Sequence, residues 1–300
     1  MKKIFKILGV GEILWDVFPN GKKLGGAPAN FAYHVSALGH EGIIVSRVGN
    51  DDYGREIIEQ LISLGLTTDY IQIDGEKETG IVEVKIDENQ QPRYIIKEDV
   101  AWDFIQWNSK FDTLLETTDA ICFGTLAQRS RTSRNTIINM LEKANKDTVK
   151  LYDINLRQSF YNKNIISDSL KLSDIIKLNF EEMETLRELM NISTKYNEEE
   201  VCRFLIDNFD LSLVCLTKGE HGSILIDNKQ NSFSSPSFPY KLADRVGAGD
   251  AFSAAVIVGY LNEEPIDVIS TKANKLASWV TSKHGATPVY DSEIKGIMNI

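Results

Sequence analysis

Short apolar runs that read as strands alternate with amphipathic stretches that read as helices, and that alternation restricts the fold more than anything else in the chain. The runs are Ile4–Val10, Ile43–Arg47, Ala120–Phe123, Lys150–Asn155, Ile175–Leu178 and Leu213–Thr217. Between them, Gly54–Leu64 sets Ile57, Ile58, Leu61 and Ile62 at helical spacing before Gly65, and Glu198–Asn208 puts Val201, Phe204 and Leu205 on one face. Strand and helix in turn make βαβ units, and so an α/β fold with a mostly parallel central sheet.

Residues 79–106 break the alternation. Ile81–Ile86 and Arg93–Ile96 are joined by the polar turn Asp87-Glu88-Asn89-Gln90-Gln91-Pro92, which is the pattern of a hairpin and not of a crossover. Glu12–Leu24 is a second excursion. Together, 12–24 and 79–106 are expected to form a small β lid over a core built from 1–11, 25–78 and 107–300. Such a lid excludes water from a transfer reaction, although a surface decoration fits the same pattern. An exposed hairpin edge invites pairing, so a homodimer through the lid is expected.

Composition excludes several classes. A net charge of −10 argues against a nucleic-acid partner. It leaves room for a local nest of backbone N–H groups that binds an anionic substrate. Cys122, Cys202 and Cys215 are isolated, which fits a reducing compartment and a cytoplasmic protein. His34, His40, His221 and His284 lie far apart, with no zinc-ligand spacing. Lys6 interrupts the apolar N-terminus and Glu12 and Asp16 follow closely, so this segment reads as a first buried strand and not a signal peptide. No run approaches the length of a membrane helix, and no membrane partner is expected.

Gly247-Ala248-Gly249-Asp250 heads a strongly apolar helix. Small residues there leave backbone N–H groups uncovered at the positive end of the helix dipole, which makes an anion site. Asp250 is then either a helix cap or a general base beside a bound phosphate. Gly25-Gly26-Ala27-Pro28-Ala29-Asn30 opens a second helix running to Gly39. Its glycines let a ligand approach the backbone, and Asn30 offers a donor and an acceptor to a hydroxyl-rich ligand; a plain loop-to-helix junction reads the same way. Asp153, Asn155 and Arg157 would share one face if their strand stays extended, at the sheet end where open α/β sheets bind ligands; a buried ion pair is the alternative. Asn179 and Glu182 fit either a Mg²⁺ site reached through water or a capping box. Thr217-Lys218-Gly219-Glu220-His221-Gly222 is a nucleotide-phosphate loop or a tight turn, with His221 solvated. The Walker pattern is absent. Gly9-Val10-Gly11-Glu12-Ile13-Leu14 fails as a dinucleotide fingerprint, because Leu14 stands where the third glycine belongs.

In order and spacing, Gly11-Glu12-Ile13-Leu14-Trp15-Asp16, Gly25-Gly26-Ala27-Pro28-Ala29-Asn30, Asp153-Ile154-Asn155-Leu156-Arg157, Asn179-Phe180-Glu181-Glu182 and the Gly-Ala-Gly-Asp run make the chain resemble the ribokinase-like (PfkB) carbohydrate kinases over nearly its whole length, most of all the fructokinases. The resemblance implies a three-layer α/β sandwich whose mostly parallel central sheet has about nine strands, with a β lid, and ATP and Mg²⁺ as cofactors. It makes Asp250 the base and Gly247, Ala248 and Gly249 the anion hole. Asp16, Gly25, Gly26, Asn30 and Asn155 fall on the sugar, and Arg157 near the sugar and the transferred phosphate. Asn179 and Glu182 fall in the Mg²⁺–phosphate region, Thr217, Gly219 and Gly222 on the nucleotide loop, and Asn274 against the adenine. Asp244 and Val246 are candidates for a monovalent cation, K⁺, that some members bind. One position departs: Arg245 replaces the family's threonine, and the lid, the nucleotide or a neighbouring acid is within its expected reach.

The expected activity is ATP-dependent phosphorylation of a sugar primary hydroxyl, taking D-fructose to D-fructose 6-phosphate. 2-Keto-3-deoxygluconate, ribose or a nucleoside are the other acceptors within the family. Arg93 and Lys97 on the hairpin are the cations a carboxylate substrate would call on, and two solvated side chains fit the same positions equally well. A non-catalytic sugar-binding regulator is the reading from another class, and a dehydrogenase fits poorly.

Overall fold

The computed structural model describes residues 3–19, 21–86 and 92–300. The strands are β1 Lys6–Val10, β2 Leu14–Phe18, β3 Gly21–Gly25, β4 Glu41–Gly49, β5 Ile71–Asp74, β6 Gly80–Ile86, β7 Pro92–Ile96, β8 Ala120–Gly124, β9 Val149–Asp153, β10 Ile175–Asn179, β11 Leu213–Thr217, β12 Ser223–Asp227 and β13 Ser232–Ser235. The helices are α1 Ala27–Ala37, α2 Asp52–Ser63, α3 Lys110–Glu116, α4 Arg131–Lys143, α5 Lys163–Lys171, α6 Phe180–Met190, α7 Glu198–Phe209, α8 Ala248–Leu261, α9 Ile266–Thr281 and α10 Ser292–Met298.

Nine strands form one sheet in the order β13-β12-β11-β10-β9-β8-β1-β4-β5. Its pairs from β11 to β5 are parallel, and only β12 and β13 run antiparallel at one edge. The sequence predicts the α/β sandwich but misses β5, β12 and β13. Their short runs, such as Ser232–Ser235, carry little apolar signal.

Alternation along the central strands divides the core in two. Ile7, Ile44 and Leu151 pack on one face with α1, α2, α8, α9 and α10, while Leu8, Ile43, Val45 and Tyr152 pack on the other with α3 to α7. Each fully buried aliphatic side chain contributes roughly 1.5–3 kcal/mol. Helix α8 is apolar nearly all round because it lies between α1, α9 and the sheet, with Ala251 through Gly259 buried.

Both excursions enter a second sheet, ordered β3-β2-β6-β7. β6 and β7 are antiparallel neighbours, as a hairpin requires, while β2 joins β6 in parallel. The turn expected at residues 87–91 lies outside the described residues. The N-terminal run becomes a strand only from Lys6, since Ile4 is exposed. Among the described residues no helix is long and apolar enough to cross a membrane, and the three cysteines are free and buried.

His34, on α1, is fully buried between Ala286 O, 2.9 Å from Nε2, and the Tyr290 hydroxyl, 2.8 Å from Nδ1. A carbonyl only accepts, so Nε2 donates and Nδ1 receives the tyrosine proton. Burial pushes the imidazole down to about 4. A neutral histidine in the fold and an ordinary one in the unfolded chain give a stabilisation that is complete above the usual value near 6.5 and is lost as pH falls toward about 4. Its full size is on the order of 3 kcal/mol. In urea titrations between pH 7.5 and 4.5, the stability difference between wild type and His34→Gln should shrink by most of that amount. A difference that stays constant with pH would contradict the assignment.

Candidate active site

Helix α8 starts at Ala248, with Gly247 as its N-cap in the left-handed region at φ 81. A side chain on Gly247 would also meet Ala286 O at 2.6 Å, so both backbone and space require glycine. The N–H groups of Ala248, Gly249 and Asp250 precede the first helical bond, Ala251 N to Gly247 O, and point out of the helix end. Asp250 is thus the third helical residue and makes no cap bond. Its Oδ2 instead accepts from Asn30 Nδ2 at 2.8 Å. Of the two readings of Asp250, the cap is not what the structure shows. Asn30 belongs to the first turn of α1, which begins after Gly26 at φ 108. Burial, then the charge of Asp153, pushes the Asp250 carboxyl up to about 6, against Asn30, Lys177 and Arg157.

Beneath α8 lies a buried ion pair. Asp153 and Lys177 are cross-strand partners on β9 and β10, with Lys177 Nζ 3.0 Å from Asp153 Oδ1. Ser253 Oγ, one turn into α8, donates to Asp153 Oδ2 at 3.0 Å. The ammonium also faces the head of α8, since a Cβ on Gly249 would stand 3.0 Å from Nζ. The expectation that Asp153, Asn155 and Arg157 share an extended face is corrected here. β9 stops at Asp153, Asn155 turns into the left-handed region at φ 43, and Gln158 does so again at φ 50. Asp153 takes the ion-pair alternative, Asn155 is half-buried in the turn, and Arg157 is exposed with Nη1 on Leu156 O. The Arg157 charge still acts on Glu12, Asp16 and Asp250.

Asp16 sits on β2 opposite Lys23 of β3, and its Oδ2 lies so close to Gly25 that a Cβ there would come within 2.6 Å. Burial pushes its carboxyl up to about 6. Asp16, Gly25, Gly26, Asn30, Arg157 and Asp250 therefore converge on one region, bounded by β2, the head of α1 and the head of α8.

The remaining candidates lie along the ends of β10 to β12. Asn179 and Glu182 form a capping box at the start of α6: Asn179 Oδ1 accepts from Glu182 N, and Glu182 Oε2 from Asn179 N, each at 2.8 Å. Glu182 Oε1 takes Leu156 N at 2.9 Å. With both oxygens holding backbone donors, Glu182 fits Mg²⁺ only through the ion's water shell. No cluster of three acidic, histidine or cysteine side chains able to hold a metal occurs among the described residues. Thr217 is the register partner of Asn179. Gly219 and Gly222, at φ 57 and 84, bracket a 3₁₀ turn closed by Lys218 N to Gly222 O at 2.7 Å. His221 within it is exposed. Asn274 of α9 is buried beside that turn, with Nδ2 on Ser223 Oγ and Ser270 O.

Asp244 accepts from Val246 N and Lys23 Nζ, each at 3.1 Å, and from Gly285 N at 3.3 Å. Its carboxylate is therefore already surrounded by donors, one of them a cation, and it does not fit a further monovalent ion; main-chain carbonyls would have to serve. Arg245 is exposed and makes no ion pair among the described residues. Lys23 of β3, not Arg245, bridges the loop to the small sheet.

Sequence reasoning missed Lys177, Ser253 and the burial of Glu12. Lys177 had a signal: a charge in the apolar run Ile175–Leu178, where solvent is excluded.

The whole length from residue 12 to 293 matches the pfkB family carbohydrate kinases. The chain belongs to that family. A sugar kinase of Pyrococcus horikoshii is 32% identical over 96% of this chain and 94% of its own; its crystal structure with ATP aligns at a TM-score of 0.79 over 97% and 99%. A 5-dehydro-2-deoxygluconokinase of Clostridium botulinum is 27% identical over 86% and 82%, and an Escherichia coli fructokinase 26% over 85% and 84%. The fructokinase of Vibrio cholerae, in a form with fructose, ADP and potassium, shares the fold at a TM-score of 0.82 and 20% identity over 99% of each chain.

The Asp153–Lys177 pair yields a stability test in this carbohydrate kinase. Lys177→Met leaves a buried carboxylate uncompensated and should cost about 3–5 kcal/mol. The double variant Lys177→Met, Asp153→Leu should recover most of that loss in guanidinium unfolding. Equal stability of the single variant and wild type would show the pair to be dispensable.

Proposed function

We propose that this enzyme transfers the γ-phosphoryl group of ATP to a primary hydroxyl of D-fructose, with Asp250 as the general base. The observation that carries this reading is the joint geometry at the head of α8. A carboxylate oriented by Asn30 stands beside N–H groups that have no helical acceptor. Those donors, with Arg157, offset charge on the transferred group, where most catalysis of phosphoryl transfer resides. Bound Mg²⁺ supplies charge neutralisation on the ATP phosphates, and Glu182 is the carboxylate proposed to face its water shell. Asn179, Thr217, Gly219, Gly222 and Asn274 form the proposed nucleotide side. Asp16, Gly25, Gly26 and Asn30 form the sugar side, with Asn155 beside Arg157. The small sheet is the proposed lid. K⁺, bound in the Vibrio cholerae relative, would here be held by main-chain carbonyls of the 244–246 loop and not by the Asp244 carboxylate.

A neutral sugar suits the acceptor side better than a keto acid. Glu12, Asp16 and Asp250 are all carboxyls; among the described residues Arg157 acts on all three, with Lys23 also on Asp16 and Lys177 on Asp250. Lys97 is paired with Glu78, and the side chain of Arg93 lies outside the described residues. The base and the anion site are both intact, which favours an enzyme over a sugar-binding regulator.

ADP release with Mg-ATP should be greatest with D-fructose in a panel that includes ribose, nucleosides and both deoxygluconate acids. A stronger response to an acid would replace fructose, and no turnover at all would favour the regulator. Asp250→Asn should lower kcat by at least about 10²–10⁴-fold, with sugar binding retained. Because a base must be ionised, kcat/KM should fall as pH drops through about 6. We also propose pairing of two copies through the small sheet, whose β7 edge exposes Tyr94 and Ile95. Light scattering should give twice the monomer mass, and a monomer would count against this pairing.

A further inference from the structure

Glu12 follows β1 and is 4% exposed. The backbone amides of its own residue and of Ala27, the first residue of α1, favour its charged form, against the effect of burial. One of its oxygens, Oε2, is buried and has no hydrogen-bond partner. Asn30 repeats the pattern. Its Nδ2 is committed to Asp250, while Oδ1 is buried without a partner. Two buried acceptors lacking donors thus lie at the head of one helix, beside the proposed base. Native interiors rarely leave such atoms unsatisfied.

The charged groups that act on Glu12 are Arg157 and Asp250, which bound the acceptor region already described. A sugar hydroxyl entering that region is a donor, and donors are what both atoms lack.

We propose that Glu12 is a substrate-positioning residue whose Oε2 accepts a hydrogen bond from a hydroxyl of the bound sugar, alongside Asn30 Oδ1. This rests on the kinase reading and narrows it. The ligand presents two hydroxyl donors near its reacting end, so polyols are chosen over ligands with a carboxylate or a bare carbon there.

Calorimetric titration without nucleotide tests this, using D-fructose and its monodeoxy analogues on wild type, Glu12→Gln and Glu12→Asp. Removing a charged acceptor should weaken fructose binding about 10-fold or more. KM should rise in step, while kcat at saturation stays within about 3-fold. One analogue should bind wild type weakly and the glutamine variant equally weakly, which identifies the hydroxyl. Unchanged fructose affinity in a folded Glu12→Gln protein would overturn the inference, as would a wild-type-to-variant ratio that is the same for every analogue. If the glutamine variant fails to fold, Glu12→Asp, which keeps the charge and shortens the reach, reads the same ratio. Wild type that binds fructose but transfers no phosphate overturns the kinase reading and leaves the ratio to decide this one. Wild type that binds none of the sugars overturns both.

Discussion

The hydrogen bond from Asn30 to Asp250 ties the first turn of α1 to the first turn of α8. Neither helix could hold the site alone. α8 brings free N–H groups and a carboxylate, but a carboxylate in that field has no reason to keep one rotamer. α1 supplies the donor that fixes it. Both helices rest on the same face of the sheet and share one apolar cluster, so packing sets the separation that the hydrogen bond needs. His34 strengthens the same junction from behind, by holding the Ala286 carbonyl that crowds Gly247.

Electrostatics at the site follow from that packing. Burial raises Glu12, Asp16 and Asp250, and each would be neutral in a fully apolar setting. Lys177 and Arg157 counteract this for Asp250, one fixed in the sheet and one exposed on the loop after β9. Asp153 keeps Lys177 in place but also works against ionisation of Asp250. The outcome is a carboxyl poised near 6, ionised at neutral pH yet close enough to neutrality to accept a proton.

Much of this was legible in the residues. The α/β alternation, the antiparallel pair in residues 79–106, and the glycine-rich helix starts at 25–30 and 247–250 all follow from local pattern. What stayed hidden depends on contacts across sequence. Period-two reasoning carried Asp153 onto Asn155 and Arg157, because nothing local marks where a strand stops. The strand ends where Asn155 adopts φ 43, a conformation asparagine tolerates without announcing it. Lys177 was visible only as an anomaly, since its partner lies on a neighbouring strand. Asp250 was ambiguous between cap and base for the same reason: the donor that its carboxylate accepts, in place of a cap bond, is on another helix.

Arg245 departs from the family pattern without an ion pair to the small sheet among the described residues. A larger, charged residue beside the anion site invited a role in reaching the lid, and the structure gives that contact to Lys23 and Asp244 instead. The bridge joins β3 of the small sheet to the loop that ends in Gly247, and Asp244 is further held by Val246 N and Gly285 N. A carboxylate accepting two backbone donors is rigid before the lysine arrives, so the loop presents a fixed anion to the small sheet. Arg245, pointing to solvent, can vary without disturbing that contact. The position that departed from the family pattern is therefore less constrained than its neighbour Asp244, whose side chain holds loop and sheet together.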